Sequence, residues 1–77
     1  MTNKLKEYDL TPEEYREYEF NGYTYRIANP VKLFLREDGE MHRVLDSNGV
    51  VHCLPSPGKF NCVLRWKSKD PNKPVNF

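Results

Sequence analysis

The sequence predicts a mainly β domain (β-rich α+β): an antiparallel meander that forms a small barrel or roll, with a short N-terminal helix. Three observations carry this. Apolar and polar residues alternate over short runs such as VKLFLRE and FNCVLRWK, the period of a half-buried strand. Asn-Gly pairs at 21–22 and 48–49 sit between such runs, a strong hairpin signal. No four-residue spacing of aromatics is sustained, so a helical bundle fits poorly.

Residues 1–9 are polar and mixed in charge, and are expected to form a flexible N-terminus ahead of a single β-rich domain at 10–67. The stretch LTPEEYREYEF then opens like a helix. Thr11 suits the N-cap, Pro12 the first helical position and Glu14 the capping box, with Leu10 placed to staple against Tyr15. A hairpin competes for the same residues. With Asn21-Gly22 as a two-residue loop, Phe20 faces Tyr23, Tyr18 faces Tyr25 and Glu17 faces Arg26. Both signals are met if a helix runs from Pro12 to about Arg16 and a strand starts near Glu17. Tyr18, Phe20, Tyr23, Tyr25 and Ile27 then share one face.

Pro30 interrupts the strand pattern and biases Asn29 toward an extended conformation. VKLFLRE predicts a strand with Val31, Leu33 and Leu35 on one face and Lys32, Phe34 and Arg36 on the other. EDGE reads as a turn, MHRVL as a strand, DSNG as a turn and VVHCL as a strand. PSPGK is a proline-stiffened loop, FNCVLRWK the last of six strands, and residues 68–77 an extended C-terminal tail.

Length and composition bound the function. A chain of 77 residues is one small domain that buries little core, yet five Tyr, four Phe and one Trp can fill a compact one. Net charge is +1, unevenly spread. Met1–Phe20 carries six acids against three bases, and Lys59–Phe77 five bases against one acid. A whole-domain attraction to nucleic acid or to anionic membrane is therefore not implied. No stretch approaches the roughly 18 apolar residues of a membrane span, and the N-terminus lacks the apolar core of a secretory signal. With only two cysteines, a reducing compartment and a cytoplasmic location are expected.

The stretch HRVLDSNGVVHC holds both histidines and one of the cysteines. If Asn48-Gly49 are the two loop residues, Val44 faces Cys53 and Leu45 faces His52. A following hairpin can place Cys53 across from Cys62. His42, Cys53 and Cys62 would then converge on one face as a zinc-type trio. The usual ligand spacing is absent, and the same two cysteines read first as small buried core residues and only then as a cross-strand disulfide. The expectation is no metal and no cofactor. A Cys53–His42 dyad would still need an oxyanion hole and a cleft, and the four glycines fall in turns rather than in a phosphate loop, so no enzyme is expected.

Binding is the remaining class. The acidic N-terminal region is rich in Tyr, and Tyr8, Tyr15 and Tyr18 are the candidate protein-binding residues. The alternative is a single-stranded nucleic-acid-binding small barrel, with Phe34 as a stacking platform between Lys32 and Arg36 and with Arg65 and Lys67 on the outer face of the last strand.

GYTYRI, HRVLDSNGVVHC and LRWKSKDPNKPVNF resemble small uncharacterised accessory proteins that bacteriophages and prophages encode near their early genes. The resemblance implies a bacterial host cytoplasm and action by binding host factors, and it carries over no site residue. The sequence thus predicts a small non-enzymatic binding module with a protein partner. Nucleic acid is the alternative partner and a zinc-binding domain the second alternative. No membrane association is expected, and the oligomeric state stays open.

Overall fold

The Asn21-Gly22 pair builds the hairpin that its sequence predicts. Both residues take positive φ, 51° and 77°, which Asn tolerates and Gly adopts freely. The flanking strands pair Phe20 with Tyr23, Tyr18 with Tyr25 and Glu17 with Arg26. The computed structural model describes residues 5–36 and 40–69. These form seven strands: β1 (Leu5–Asp9), β2 (Glu13–Phe20), β3 (Tyr23–Ala28), β4 (Pro30–Arg36), β5 (Met41–Asp46), β6 (Val51–Pro55) and β7 (Val63–Ser68). They assemble into two antiparallel sheets, β1-β4-β5-β6 and β3-β2-β7. The chain is therefore mainly β, but its sheets do not close into a barrel.

The expected N-terminal helix is a strand. Thr11 and Pro12 form a turn instead of a cap: Asp9 Oδ1 accepts from Thr11 N at 3.0 Å and from Thr11 Oγ1 at 2.7 Å. Glu13 N closes the turn on Leu10 O at 2.9 Å. A helix of one or two turns carries the full cost of nucleation for few hydrogen bonds. As the central strand of its sheet, β2 gains a ladder on each side, with β3 and with β7. Leu5–Asp9, expected to be a flexible terminus, pairs with β4.

Two β-bulges decide what faces inward. Against β7, the register of β2 shifts between Glu13 and Tyr15. Against β5, the register of β4 shifts between Pro30 and Lys32. Each bulge breaks the period of two, so residues three apart point the same way. Glu13 and Arg16 are both buried on this account, as are Pro30 and Leu33. The two sheets meet over Leu33, Val44 and Leu54 from one, and Tyr18 and Ile27 from the other, with Leu10 and Cys62 closing the ends.

Two connections differ from expectation. Asn29 is not extended: with φ of 51° it turns the chain from one sheet into the other within a single residue. Its N–H donates to Glu14 O at 3.0 Å, and its carbonyl accepts from Ser47 N at 3.0 Å. Nor does β6 form a hairpin with β7, which lies in the other sheet. The link folds back through Lys59 N to Ser56 O at 3.0 Å, Cys62 N to Lys59 O at 2.9 Å and Gly58 N to Cys62 O at 2.9 Å. Phe60 and Asn61 sit at its tip with φ of 53° and 57°. Lys69, expected in the tail, donates its N–H to Pro12 O at 2.7 Å. The rest of that tail from residue 70 on, the turn at 37–39 and residues 1–4 lie outside the described residues.

Candidate functional site

The β5–β6 hairpin sets the site geometry, and its loop has three residues rather than two. Asp46 N donates to Val50 O at 2.9 Å, and Gly49 N to Asp46 O at 3.0 Å. The Asp46 carboxylate captures Asn48 N at 2.8 Å and Val50 N at 3.0 Å through Oδ1. Gly49 supplies the left-handed residue, with φ of 82°. Val44 therefore pairs with His52 and Arg43 with Cys53, one residue out of the expected register. A slip of one moves every side chain of the strand to the other face.

His52 accordingly points inward, toward the other sheet. Its Nε2 lies 2.8 Å from Asp46 Oδ2, and its Nδ1 lies 2.7 Å from the hydroxyl of Tyr25 on β3. A carboxylate only accepts, so Nε2 carries the proton. In the neutral imidazole Nδ1 is then the acceptor, and Tyr25 donates to it. The His52 and Asp46 side chains are 16% and 11% exposed, while Tyr25 keeps 41% of its surface. The bond to His52 and those from Val50 and Asn48 hold the Asp46 carboxyl below its ordinary range.

A second polar chain lies between the sheets. Arg16 donates through Nε to Glu13 Oε1 at 2.7 Å and through Nη2 to Oε2 at 2.5 Å. Its Nη1 donates to the Tyr18 hydroxyl at 2.9 Å, and Tyr18 in turn meets His42 Nδ1 at 2.8 Å. Burial pushes the Tyr18 phenol up to about 12, against the pull of Arg16. Burial, helped by the Arg16 charge, pushes His42 down to about 4 and so keeps it neutral. Burial likewise raises Glu13, with Arg16 opposing. Among the described residues no buried side-chain polar atom lacks a hydrogen-bond partner.

The zinc-type trio is not brought together. His42 is buried between the sheets, Cys53 lies exposed on the outer face of its sheet beside Arg43, and Cys62 is in the core. Both cysteines are free thiols, so the alternative disulfide is not formed either. Burial raises the Cys62 thiol. Among the described residues no three His, Cys, Asp or Glu side chains are grouped to hold a metal ion.

The candidate tyrosines separate as well. Tyr18 is fully buried and has no surface to offer a partner, and Tyr8 packs partly buried against the core. Tyr15 lies on the outer face of its sheet under the Arg26 guanidinium, 4.1 Å from the ring centroid. The nucleic-acid candidates fall on the outer faces of different sheets. On one, Lys32 pairs with Glu7 at 3.1 Å, and Phe34 is half-buried beside exposed Arg36. Phe34 and Arg36 line a depression of about 170 Å³ with Glu40, Met41 and Arg43. On the other, Arg65 pairs with Glu19 at 3.1 Å and Lys67 with Glu14 at 3.4 Å.

Phe60, 69% exposed, and Trp66, 41%, are apolar residues whose exposure the strand alternation does not predict, whereas Val63, 46% exposed, lies on the outer face that the alternation assigns it. Tyr23, 72% exposed, belongs to the Tyr-rich N-terminal region that the sequence offers to a partner. The signal for Phe60 was its place between PSPGK and Asn61, where a turn rather than a strand holds it. Tyr23 follows the first hairpin loop, and Val63 pairs with Glu19 on the neighbouring strand, so both lie at one end of the β3-β2-β7 sheet, Tyr23 on the face of Tyr25 and Val63 on the opposite face with Arg65. The Phe60 turn leads directly into that end.

The fold and its sites define a two-sheet antiparallel β domain with polar clusters linking the sheets. No protein-family model matches the chain, and neither does any curated protein or solved structure. Among the described residues no helix is long and apolar enough to cross a membrane.

Proposed function

We propose that this chain is a small binding module for a protein partner, acting by association rather than by turnover. The observation that carries the reading is Phe60, 69% exposed at the turn that leads into the β3-β2-β7 sheet, with Tyr23, 72% exposed, at the same end of that sheet. The Phe60 backbone sharpens it. An aromatic side chain at positive φ is disfavoured by roughly 1 kcal/mol or more, and this one gains little burial in return. A large aromatic held out at a turn has the properties of an interface anchor. The proposal moves the contact residues away from Tyr8, Tyr15 and Tyr18, whose surfaces are largely used within the domain. The resemblance to phage accessory proteins makes a bacterial host protein, in the host cytoplasm, the partner to seek first.

The test is capture from bacterial lysate by the parent and by the Tyr23→Ser/Phe60→Ser double variant, with and without nuclease. The expected result is a nuclease-resistant partner that the double variant loses. Capture that disappears on nuclease treatment, or that survives both substitutions, overturns the reading.

A second reading, single-stranded nucleic acid, is favoured by one observation. Phe34 is flanked by Arg36 and Arg43, neither of which has an ion-pair partner among the described residues. An aromatic face beside two guanidinium groups is suited to a stacked base and its phosphate, although Glu40 lines the same depression. Against it, Lys32, Arg65 and Lys67 are already paired with carboxylates. Binding of a labelled single-stranded oligonucleotide is therefore expected to be weak and confined to low salt. Sub-micromolar binding at moderate salt, lost in Phe34→Ala, would put this reading first.

A further inference from the structure

We propose that Tyr25, His52 and Asp46 form a base-activated phenol, a nucleophile that accepts an acyl or sulfonyl group from an activated donor. The inference goes beyond partner binding and needs no turnover, because one modification per chain suffices.

The three roles of an activated nucleophile are each filled. The nucleophile is within hydrogen-bond reach of its base: Tyr25 Oη to His52 Nδ1 is 2.7 Å. The base is oriented by a third group, since Asp46 Oδ2 holds His52 Nε2 at 2.8 Å. The orienting carboxylate is itself fixed, by the amides of Asn48 and Val50 on Oδ1. This nucleophile, base and orienter sequence is the arrangement by which a weak hydroxyl nucleophile is activated. Tyr25 comes from β3 and the other two from the β5–β6 hairpin, so the packing of the two sheets assembles the set. The base and its orienter are sheltered, while Tyr25 keeps 41% of its surface exposed.

The step balances without any other reactant. As Tyr25 Oη bonds to the donor's carbonyl carbon or sulfonyl sulfur, the phenolic proton passes to His52 Nδ1. The bond to the leaving group breaks, and the leaving group departs with the electron pair. Asp46 stabilises the imidazolium through Nε2–H, and the imidazolium then returns its proton to the leaving group or to water.

The chain contains its own controls. Tyr23 stands two residues away on the same face of the same strand and is more exposed, at 72%, but no histidine accepts from it. Tyr18 has the same phenol-to-imidazole contact, but it is fully buried and its oxygen also accepts from Arg16. Exposure alone ranks Tyr23 first; activation ranks Tyr25 first.

The test treats the folded chain with limiting aryl sulfonyl fluoride, and separately with an aryl acetate, and maps the modified tyrosines by mass spectrometry over time. Tyr25 is expected to react about tenfold faster than Tyr23 or more, a modest share of what a positioned base contributes. His52→Gln is expected to remove that advantage and leave Tyr23 labelling unchanged. Tyr23 reacting as fast as Tyr25 in the parent overturns the proposal without recourse to any variant. So does a His52→Gln chain, folded by circular dichroism, in which Tyr25 keeps its rate.

Discussion

Twice in this domain a tyrosine of one sheet meets a histidine of the other through Oη and Nδ1. Tyr18 and His42 do so at 2.8 Å and Tyr25 and His52 at 2.7 Å, and in both pairs the ring centroids are 5.6 Å apart in an edge-on arrangement. The tyrosines are themselves cross-strand partners. What differs is the next group along each chain. Behind Tyr18 stands a cation, Arg16, tied to Glu13, and the whole set is sealed. Behind His52 stands an anion, Asp46, and the phenol end is open. Charge on the phenol side of the buried pair and on the imidazole side of the surface pair gives one contact two characters. The first joins the sheets in the core; the second joins them where Tyr25 is 41% exposed.

The largest effect is expected where the buried chain is cut. Arg16→Met strands an unpaired Glu13 carboxylate between the sheets and should cost roughly 3–5 kcal/mol in urea unfolding. Adding Glu13→Leu to it should restore most of the loss. If Arg16→Met unfolds no more easily than the parent, the buried ion pair is not what organises this region.

Next comes acid. The unfolded chain takes up a proton at His42 near the ordinary 6.5, and the folded chain only near 4. Between those values the unfolded state binds more protons. The contribution is therefore complete above about pH 6.5 and is lost as pH falls toward 4, at about 1.4 kcal/mol per unit at most. Urea midpoints at pH 7 and pH 4.5 should differ more for the parent than for His42→Gln, which removes this titration. An equal drop in both would assign the acid sensitivity to other groups.

The smallest effect should follow from opening the surface cluster. Asp46→Ala removes two caps on the hairpin loop along with the partner of His52, and a cost of about 1–2 kcal/mol is expected. The sharper readout is amide hydrogen exchange, in which Asn48 and Val50 should lose protection while the β2–β3 hairpin keeps it. Unchanged exchange at those two amides would show that the loop does not depend on the carboxylate.

These contrasts also mark how far the residues could be read beforehand. At Asn21-Gly22 the local chemistry and the tertiary structure agree, and turn, register and shared face all follow from the sequence. At Asn48-Gly49 the same dipeptide misleads, because Asp46 two residues earlier draws the amides of Asn48 and Val50 to itself and lengthens the loop by one. That single residue sends Cys53 outward and His52 inward, dispersing the expected trio and creating the set around Tyr25. The helix signals of Thr11, Pro12 and Glu14 are real local preferences that a central strand overrides. Burial of both Glu13 and Arg16 was hidden for another reason: strict alternation puts them on opposite faces, and only a bulge reconciles them.

The abrupt turn at Asn29 reaches beyond geometry into time. Along the chain, strands go to the four-stranded sheet, then twice to the three-stranded one, three times to the first and once more to the second. Neither sheet is a continuous piece of chain, so neither can be finished before most of the protein has been synthesised. β2 emerges early but lacks its second neighbour until Val63–Ser68 has left the ribosome. Such distant pairings favour refolding in milliseconds to seconds rather than microseconds. The nascent chain thus waits on its last strand with one side of β2 still open.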